Sequence, residues 1–236
     1  KDLVINVPGF EYALNKDCDT EPDSDCWNKP LAYTLDCENV AINGNGSPFH
    51  IENAEATLKD CATTVNTELP SFGGAHAAAI YSSCGAVTTV DGGIFTAPNA
   101  LQTGNLGGDI IVKGGEFNGN IKSWMLDNDT RDFANVNIAN ITIEAGTFDG
   151  NFVYADGCSA ASKLLKVAIS GGDFSDETIP TAFIKPVDHK VAKWVDSTTY
   201  DNYVTPATVE AAAKVLKKMK NVGFVMAGSG DMLNHV

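Results

Sequence analysis

One short pattern recurs four times along the middle of the chain, and it restricts the possible folds more than any other feature. Alternating apolar residues run into a Gly-Gly or Ala-Gly pair, and a phenylalanine follows two positions after the pair. The copies are TTVDGGIF (88–95), IIVKGGEF (110–117), ITIEAGTF (141–148) and VAISGGDF (167–174). Period-two alternation indicates a β-strand, and glycine permits the positive φ of a sharp bend. The distance from one copy to the next is typical of one solenoid coil.

The spacing of three cysteines predicts the same period. The interval from Cys37 to Cys61 is almost equal to that from Cys61 to Cys84, and a β-branched run comes shortly after each of them. Stacked strands lie about 4.8 Å apart, which brings equivalent residues into disulfide range. We therefore expect Cys61 to pair with Cys84 or Cys37, the alternative being buried free thiols.

The repeats predict a right-handed parallel β-helix of about six coils between Leu35 and Phe183, preceded by an edge strand at residues 3–7. The four repeated phenylalanines (Phe95, Phe117, Phe148 and Phe174) are expected to form a ladder in its core. A β-sandwich would show hairpin signals at short, regular intervals, whereas the Asn-Gly pairs here follow the coil period. The expected fold class is all-β.

The segments GGIFTA, ITIEAGTFDGN and VAISGGDFSDETIP resemble the GGTF-type repeats of β-helical surface proteins common in gut bacteria, within the pectin-lyase-like superfamily. The resemblance covers roughly Val40 to Asp176 and implies the parallel β-helix. Members of that group include adhesins, polysaccharide lyases and hydrolases, and phage tailspikes, so the fold does not select the function. The resemblance also implies, for lyase-like members, Ca²⁺-bound aspartates with an Arg or Lys base, but neither the lyase nor the polygalacturonase signature is present.

The two ends differ from the repeats. Near the N-terminus, DCDTEPDSDC (17–26) predicts an exposed acidic loop, which a bridge between Cys18 and Cys26 could close. Near the C-terminus, Thr205 and Pro206 give the signal for the start of a helix that runs through Lys220, followed by a strand. We expect a β-helix with edge strand and acidic loop over residues 1–200, and a capping helix and strand over 201–236.

Charge and composition exclude some partners. Thirty acidic and 16 basic residues give a net charge of −14, which would repel a nucleic acid. No apolar run approaches the length of a membrane span. Six cysteines and three N-x-S/T sequons, at Asn45, Asn128 and Asn140, are compatible with a secreted or cell-surface protein.

Two groups of residues are candidates for ligand binding. Asp127, Asp129 and Asp132 could bind Ca²⁺ through hard oxygen ligands, the alternative being a solvated acidic turn. Trp124 and Tyr154 could stack on sugar rings, although aromatic side chains more often serve packing.

A third candidate is the column of residues before each glycine pair, which reads Asp91, Lys113, Glu144 and Ser170. Two carboxylates and an amine in one column could act as general acid and base. We favour the alternative, a ladder of opposite charges on a solvent-exposed face that relieves repulsion between stacked strands.

These features favour a non-enzymatic module, secreted or surface-exposed, with an adhesive or structural role. The expected partners are further copies of the chain, in a filament or oligomer, or a glycan, and Ca²⁺ is the one candidate cofactor. Two alternatives stay open: a polysaccharide lyase or glycoside hydrolase acting on acidic glycans through Asp129 and Arg131, and a phage tailspike or decoration protein.

Overall fold

The computed structural model describes residues 3–7, 14–16, 33–44, 47–52, 54–65, 78–83, 85–104, 107–123, 139–154, 165–175, 179–185, 189–193, 200 and 202–207. The strands are β1 (Leu3–Val7), β2 (Leu14–Lys16), β3 (Tyr33–Glu38), β4 (Val40–Gly44), β5 (Phe49–Glu52), β6 (Ala54–Val65), β7 (Ala78–Ser83), β8 (Val87–Thr103), β9 (Gly108–Ser123), β10 (Ala139–Ile143), β11 (Thr147–Asp149), β12 (Phe152–Tyr154), β13 (Leu165–Ile169), β14 (Asp173–Phe174), β15 (His189–Lys193) and β16 (Asn202–Pro206). Among these residues the only helix is a single 3-10 turn at Thr181–Phe183. The described part therefore contains no helix long and apolar enough to cross a membrane.

The sixteen strands form one large, mostly parallel sheet, which confirms the all-β prediction. Most of the sheet consists of three stacks of parallel strands. The first stack contains β3, β10, β13 and the starts of β6, β8 and β9. The second contains β1, β4, β11, β14 and later parts of β6, β8 and β9. The third contains β2, β5, β7, β12 and the ends of β8 and β9.

The predicted phenylalanine ladder is confirmed. Phe95, Phe117, Phe148 and Phe174 lie opposite one another on successive strands of the second stack, and all four are buried. Their ring centroids are 5.3, 4.9 and 4.8 Å apart in order, and the ring planes deviate by no more than 12°. A column of nearly parallel phenylalanine rings thus runs along the buried side of the second stack of strands. Phe49, from the third stack, meets the ring of Phe95 edge-on, with centroids 6.4 Å apart.

The chain bends between the first and second stacks where the sequence has its glycine pairs. In the earlier strands the bend is made by Asn39 (φ 55°) and Asp60 (φ 50°), and in β8 it is made by Gly92 (φ 84°) and Gly93 (φ 104°). Asn and Asp are the non-glycine residues that tolerate this left-handed region best. At Gly93 a Cβ would meet the backbone of Cys61 on the neighbouring strand, so close approach also requires glycine there.

The period inferred from the cysteines is wrong. Cys37 lies opposite Leu58 on β6, and Cys61 lies opposite Gly93 on β8, so no two of these cysteines are equivalent positions of neighbouring strands. Cys37 precedes the bend and lies in the first stack, whereas Cys61 follows the bend and lies in the second stack. Both are free thiols, and the predicted bridge from Cys61 is therefore not formed. Cys84, Cys18 and Cys26 lie outside the described residues.

The C-terminal strands reverse direction. β16 pairs antiparallel with both β14 and β15, and Thr205 lies opposite Lys190. Thr205 and Pro206, predicted to begin a helix, are instead the last residues of β16, where the alternation of buried Asn202 and Val204 favours a strand. The boundary predicted between residues 200 and 201 falls between two strands that pair with each other. The rest of the predicted capping helix lies outside the described residues.

Candidate functional site

An exposed column of alternating charge follows the first stack. It consists of the residues before each bend, in order Glu38, Lys59, Asp91, Lys113, Glu144 and Ser170. Glu38 and Asp91 lie opposite Lys59, and the last three residues directly follow the aligned residues Val112, Ile143 and Ile169. The five charged residues are exposed. An irregularity between Val90 and Asp91 shifts the pairing of Asp91 by one residue, onto Gly114. The structure thus places the predicted column together and extends it by two residues of opposite charge.

The best-defined contact in this column joins Lys59 and Glu38. The Lys59 Nζ donates a hydrogen bond to the Glu38 Oε1 at 2.6 Å. This bond lowers the pKa of the Glu38 carboxyl and raises the pKa of the Lys59 ammonium, to which the charge of Asp91 also contributes. Opposite charges therefore meet on neighbouring strands, which is the arrangement of a charge ladder and not of two carboxylates positioned for acid and base chemistry.

A second hydrogen-bonded pair lies on the same face, near the starts of β9 and β10. The Asn140 Nδ2 donates a hydrogen bond to the Asp109 Oδ1 at 2.6 Å. Burial raises the pKa of the Asp109 carboxyl, and the hydrogen bonds from Asn140 oppose that effect. Asn140 is also the sequon residue in this part of the chain, so a glycan there would attach to the nitrogen that donates this bond.

The third stack carries a buried polar cluster that the sequence reasoning missed. His50 and Glu52 are only 3% and 4% exposed, and the His50 Nε2 lies 3.2 Å from the Glu52 Oε1. The imidazole lies against the ring of Tyr81, with centroids 4.6 Å apart. Ser83 lies opposite Glu52 on the next strand and is also buried. A Cβ on Gly104 would overlap with the Ser83 hydroxyl and the Tyr81 hydroxyl, so these two groups fill the space beside that glycine.

This cluster has the residue types of a proton-handling site. A carboxylate beside an imidazole fixes its orientation and stabilises its protonated form. The pair is nevertheless enclosed, and burial of two ionisable groups costs free energy unless they are well paired. In this structure the side chains are out of reach of a polymeric substrate, so the arrangement serves the packing of the third stack.

The thiols of Cys37 and Cys61 are not activated as nucleophiles. Burial raises the pKa of the Cys37 thiol to about 11, and the charges of Cys61 and Asp36 contribute. Burial also raises the pKa of Cys61, whose Sγ lies 3.5 Å from the carbonyl oxygen of Cys37. Since the thiolate is the nucleophile and the metal ligand, neither cysteine is activated for reaction.

Among the predicted ligand-binding residues, only Tyr154 lies in the described part of the chain. It is half-buried at the end of β12, opposite Ser123, and its ring packs against the hydrophobic core. Sugar stacking by Tyr154 stays a prediction. Trp124 and the candidate calcium ligands Asp127, Asp129 and Asp132 lie outside the described residues, within which no group of three or more His, Cys, Asp or Glu side chains could hold a metal ion.

Comparison with family models, with curated proteins and with solved structures finds no match to this chain.

Proposed function

We propose that the chain is a right-handed parallel β-helix, with the three stacks as its three faces, and that it acts as a secreted or surface-exposed module with an adhesive or structural role. Repeats that place equivalent residues opposite one another support the β-helix, as does the resemblance to GGTF-repeat surface proteins. The same resemblance supports the location outside the cell. We propose no catalytic activity for this module.

The observation that carries the proposal is the column of alternating charge on the first stack. Glu38, Lys59 and Asp91 follow one another across three strands, and all are exposed. A typical glycoside hydrolase needs two carboxyl groups of unequal pKa on either side of the bond that it cleaves. A regular ladder instead keeps an exposed face flat and free of like-charge contacts, which is what a surface or filament module needs.

The proposed partners are further copies of the chain, in a filament or oligomer, or a glycan bound near Trp124 and Tyr154. Calcium is proposed only for Asp127, Asp129 and Asp132.

Electron microscopy of the purified chain, combined with binding to a panel of glycans, tests this function. We expect filaments or a defined oligomer other than a trimer, or binding of a glycan without its cleavage. Release of products from polygalacturonate in the presence of Ca²⁺, lost in Asp129→Ala and Arg131→Ala, would replace the proposal with a lyase. A stable trimer without glycan binding would favour the tailspike alternative. A strict monomer that binds no glycan would remove the support for any adhesive or structural role.

A further inference from the structure

Three side chains of different chemistry follow one another on the outer side of the first stack. Asp109 of β9 lies opposite Asn140 of β10, and Asn140 lies opposite Lys166 of β13. The next residue of each strand is buried, so the alternation of a strand directs these three side chains outward. A carboxyl group, a carboxamide and an amine therefore form a row across three neighbouring strands.

The carboxyl group of Asp109 contacts the nitrogen of the Asn140 carboxamide. The Asn140 Nδ2 donates a hydrogen bond to the Asp109 Oδ1 at 2.6 Å, and both residues are half-buried. Because burial raises the pKa of the Asp109 carboxyl, the group binds a proton more readily than a carboxyl in water does. A proton acceptor thus lies against the nitrogen that would leave if the carboxamide were attacked.

Lys166 lies on the strand at the other side of the same carboxamide. Neighbouring strands are about 4.8 Å apart, a distance that the flexible aliphatic stem of a lysine spans. Lys166 is exposed, and among the residues that the structure describes no salt bridge holds its ammonium elsewhere. The amine can therefore reach the Asn140 side chain from the side opposite to Asp109.

We propose that Lys166 and Asn140 form a covalent amide bond between β13 and β10, with Asp109 as the group that transfers the proton. The Lys166 ammonium first loses a proton to solvent, and its Nζ then attacks the Asn140 Cγ. The Asp109 carboxylate takes a proton from the attacking nitrogen and gives it to the Asn140 Nδ2, the bond between Cγ and Nδ2 breaks, and ammonia leaves. One carbon–nitrogen bond forms and one breaks, so the step needs no oxidant or co-reactant.

The bond should accumulate on incubation of the folded protein, and faster at mildly alkaline pH than at neutral pH, because only the unprotonated amine attacks. The step occurs once in each chain, so it is a modification and not an enzymatic activity. It goes beyond the proposed function and does not depend on it.

Mass spectrometry of the full chain, produced in a host that adds no glycan to Asn140 and incubated at mildly alkaline pH, tests the proposal. The mass of the intact protein should fall by that of one ammonia molecule. Trypsin should no longer cut after Lys166, and the peptide of residues 132–163 should be linked to the peptide that contains Lys166. Hydrolysis of the Asn140 amide would instead raise the mass, and a cyclic imide at Asn140 would lower it but leave the two peptides separate. Either result without the linked peptide would refute the proposal.

Three variants separate the roles of the residues. Lys166→Arg keeps the positive charge but removes the amine, so we expect no linked peptide. Asp109→Asn removes the proton acceptor and should slow formation of the bond at least about tenfold. The matched control is Lys113→Arg, which replaces another exposed lysine of the first stack and should form the bond at the wild-type rate.

Circular dichroism of the variants, and incubation of the wild type in urea, separate loss of the bond from loss of folding. The variants should give the wild-type spectrum, and the unfolded wild type should stay unlinked, because the bond requires the register of β9, β10 and β13. A linked peptide in Lys166→Arg, or equal amounts of link in the folded and unfolded chain, would overturn the inference. Equal rates in Asp109→Asn and the wild type would remove the role of Asp109.

Discussion

Stacking of the phenylalanine ladder should be measurable as a coupling between neighbouring rings. Phe117 is fully buried between Phe95, at 5.3 Å, and Phe148, at 4.9 Å. Truncation of a buried phenylalanine to alanine costs about 3 to 5 kcal/mol of stability. The total free energy of unfolding of a domain is only about 5 to 15 kcal/mol, so this loss could unfold the protein. Leucine is therefore the better replacement, because it removes the ring and retains most of the buried apolar volume.

A double-mutant cycle isolates the ring-to-ring contribution. For the adjacent pair Phe117→Leu and Phe148→Leu we expect a coupling of about 0.5 to 1.5 kcal/mol, the usual value for an aromatic pair beyond its buried area. The matched control is Phe95→Leu with Phe148→Leu, two rings that both touch Phe117 but not each other. Its coupling should be smaller, below about 0.5 kcal/mol, because these two rings do not touch and can couple only indirectly, through Phe117.

Urea denaturation of the wild type, the three single variants and the two double variants gives all the free energies of unfolding that the two cycles need. Circular dichroism and tryptophan fluorescence should show coincident transitions, which is the condition for two-state treatment. Equal coupling in the two pairs, or none in the adjacent pair, would show that the rings fill space without interacting specifically.

Three further predictions concern the bend, the thiols and the partly buried carboxyl group of Asp109. Gly93→Ala should destabilise the fold by more than about 1 kcal/mol, because φ is 104° and the added Cβ would meet the Cys61 backbone. Gly114→Ala, where the atom nearest to the added Cβ is 3.8 Å away, should change stability by less. Thermal melts of the two variants, measured in parallel, compare them. Cys37 and Cys61 should resist iodoacetamide at neutral pH until the protein is unfolded, because burial raises the pKa of both thiols; rapid labelling of the native protein, read by peptide mass spectrometry, would contradict this. Because burial raises the pKa of Asp109 in the folded state, its stabilising contribution is complete below the unfolded pKa of about 3.9 and is lost as the pH rises through the folded pKa. Asp109→Asn should therefore be more stable than the wild type at neutral pH and lose that advantage in acid, and an advantage independent of pH in denaturation curves would count against this reasoning.

The sequence predicted those parts of the fold in which the same residue type repeats at the same position. Phe95, Phe117 and Phe148 share a motif, and their register follows directly from aligning the copies. The charge column was found in the same way, since Asp91, Lys113 and Glu144 all precede the bend. Its extension to Glu38 and Lys59 was missed because the earlier bends use Asn39 and Asp60 in place of glycine, so no motif marked them.

Features that depend on register between unlike segments could not be predicted. The even spacing of the cysteines agreed with the repeat only by coincidence, since Cys37 is opposite Leu58 and Cys61 is opposite Gly93. The buried cluster of His50, Glu52 and Tyr81 belongs to the third stack, where no motif repeats. The H-x-E of β5 and the Y-x-S of β7 are visible in the sequence, but only the pairing of Glu52 with Ser83 brings them together.

The unequal steps of the ladder have a practical consequence for engineering. Phe148 lies farther along the chain from Phe117 than Phe117 does from Phe95, yet the ring centroids of the two pairs are 4.9 and 5.3 Å apart. The additional residues lie between Ser123 and Ala139 in the sequence, and the entropy of closing a loop rises by only about 0.6 kcal/mol for each doubling of its length. The ladder thus tolerates coils of unequal length, so an engineered insertion between repeats need not preserve the residue count for the rings to stack.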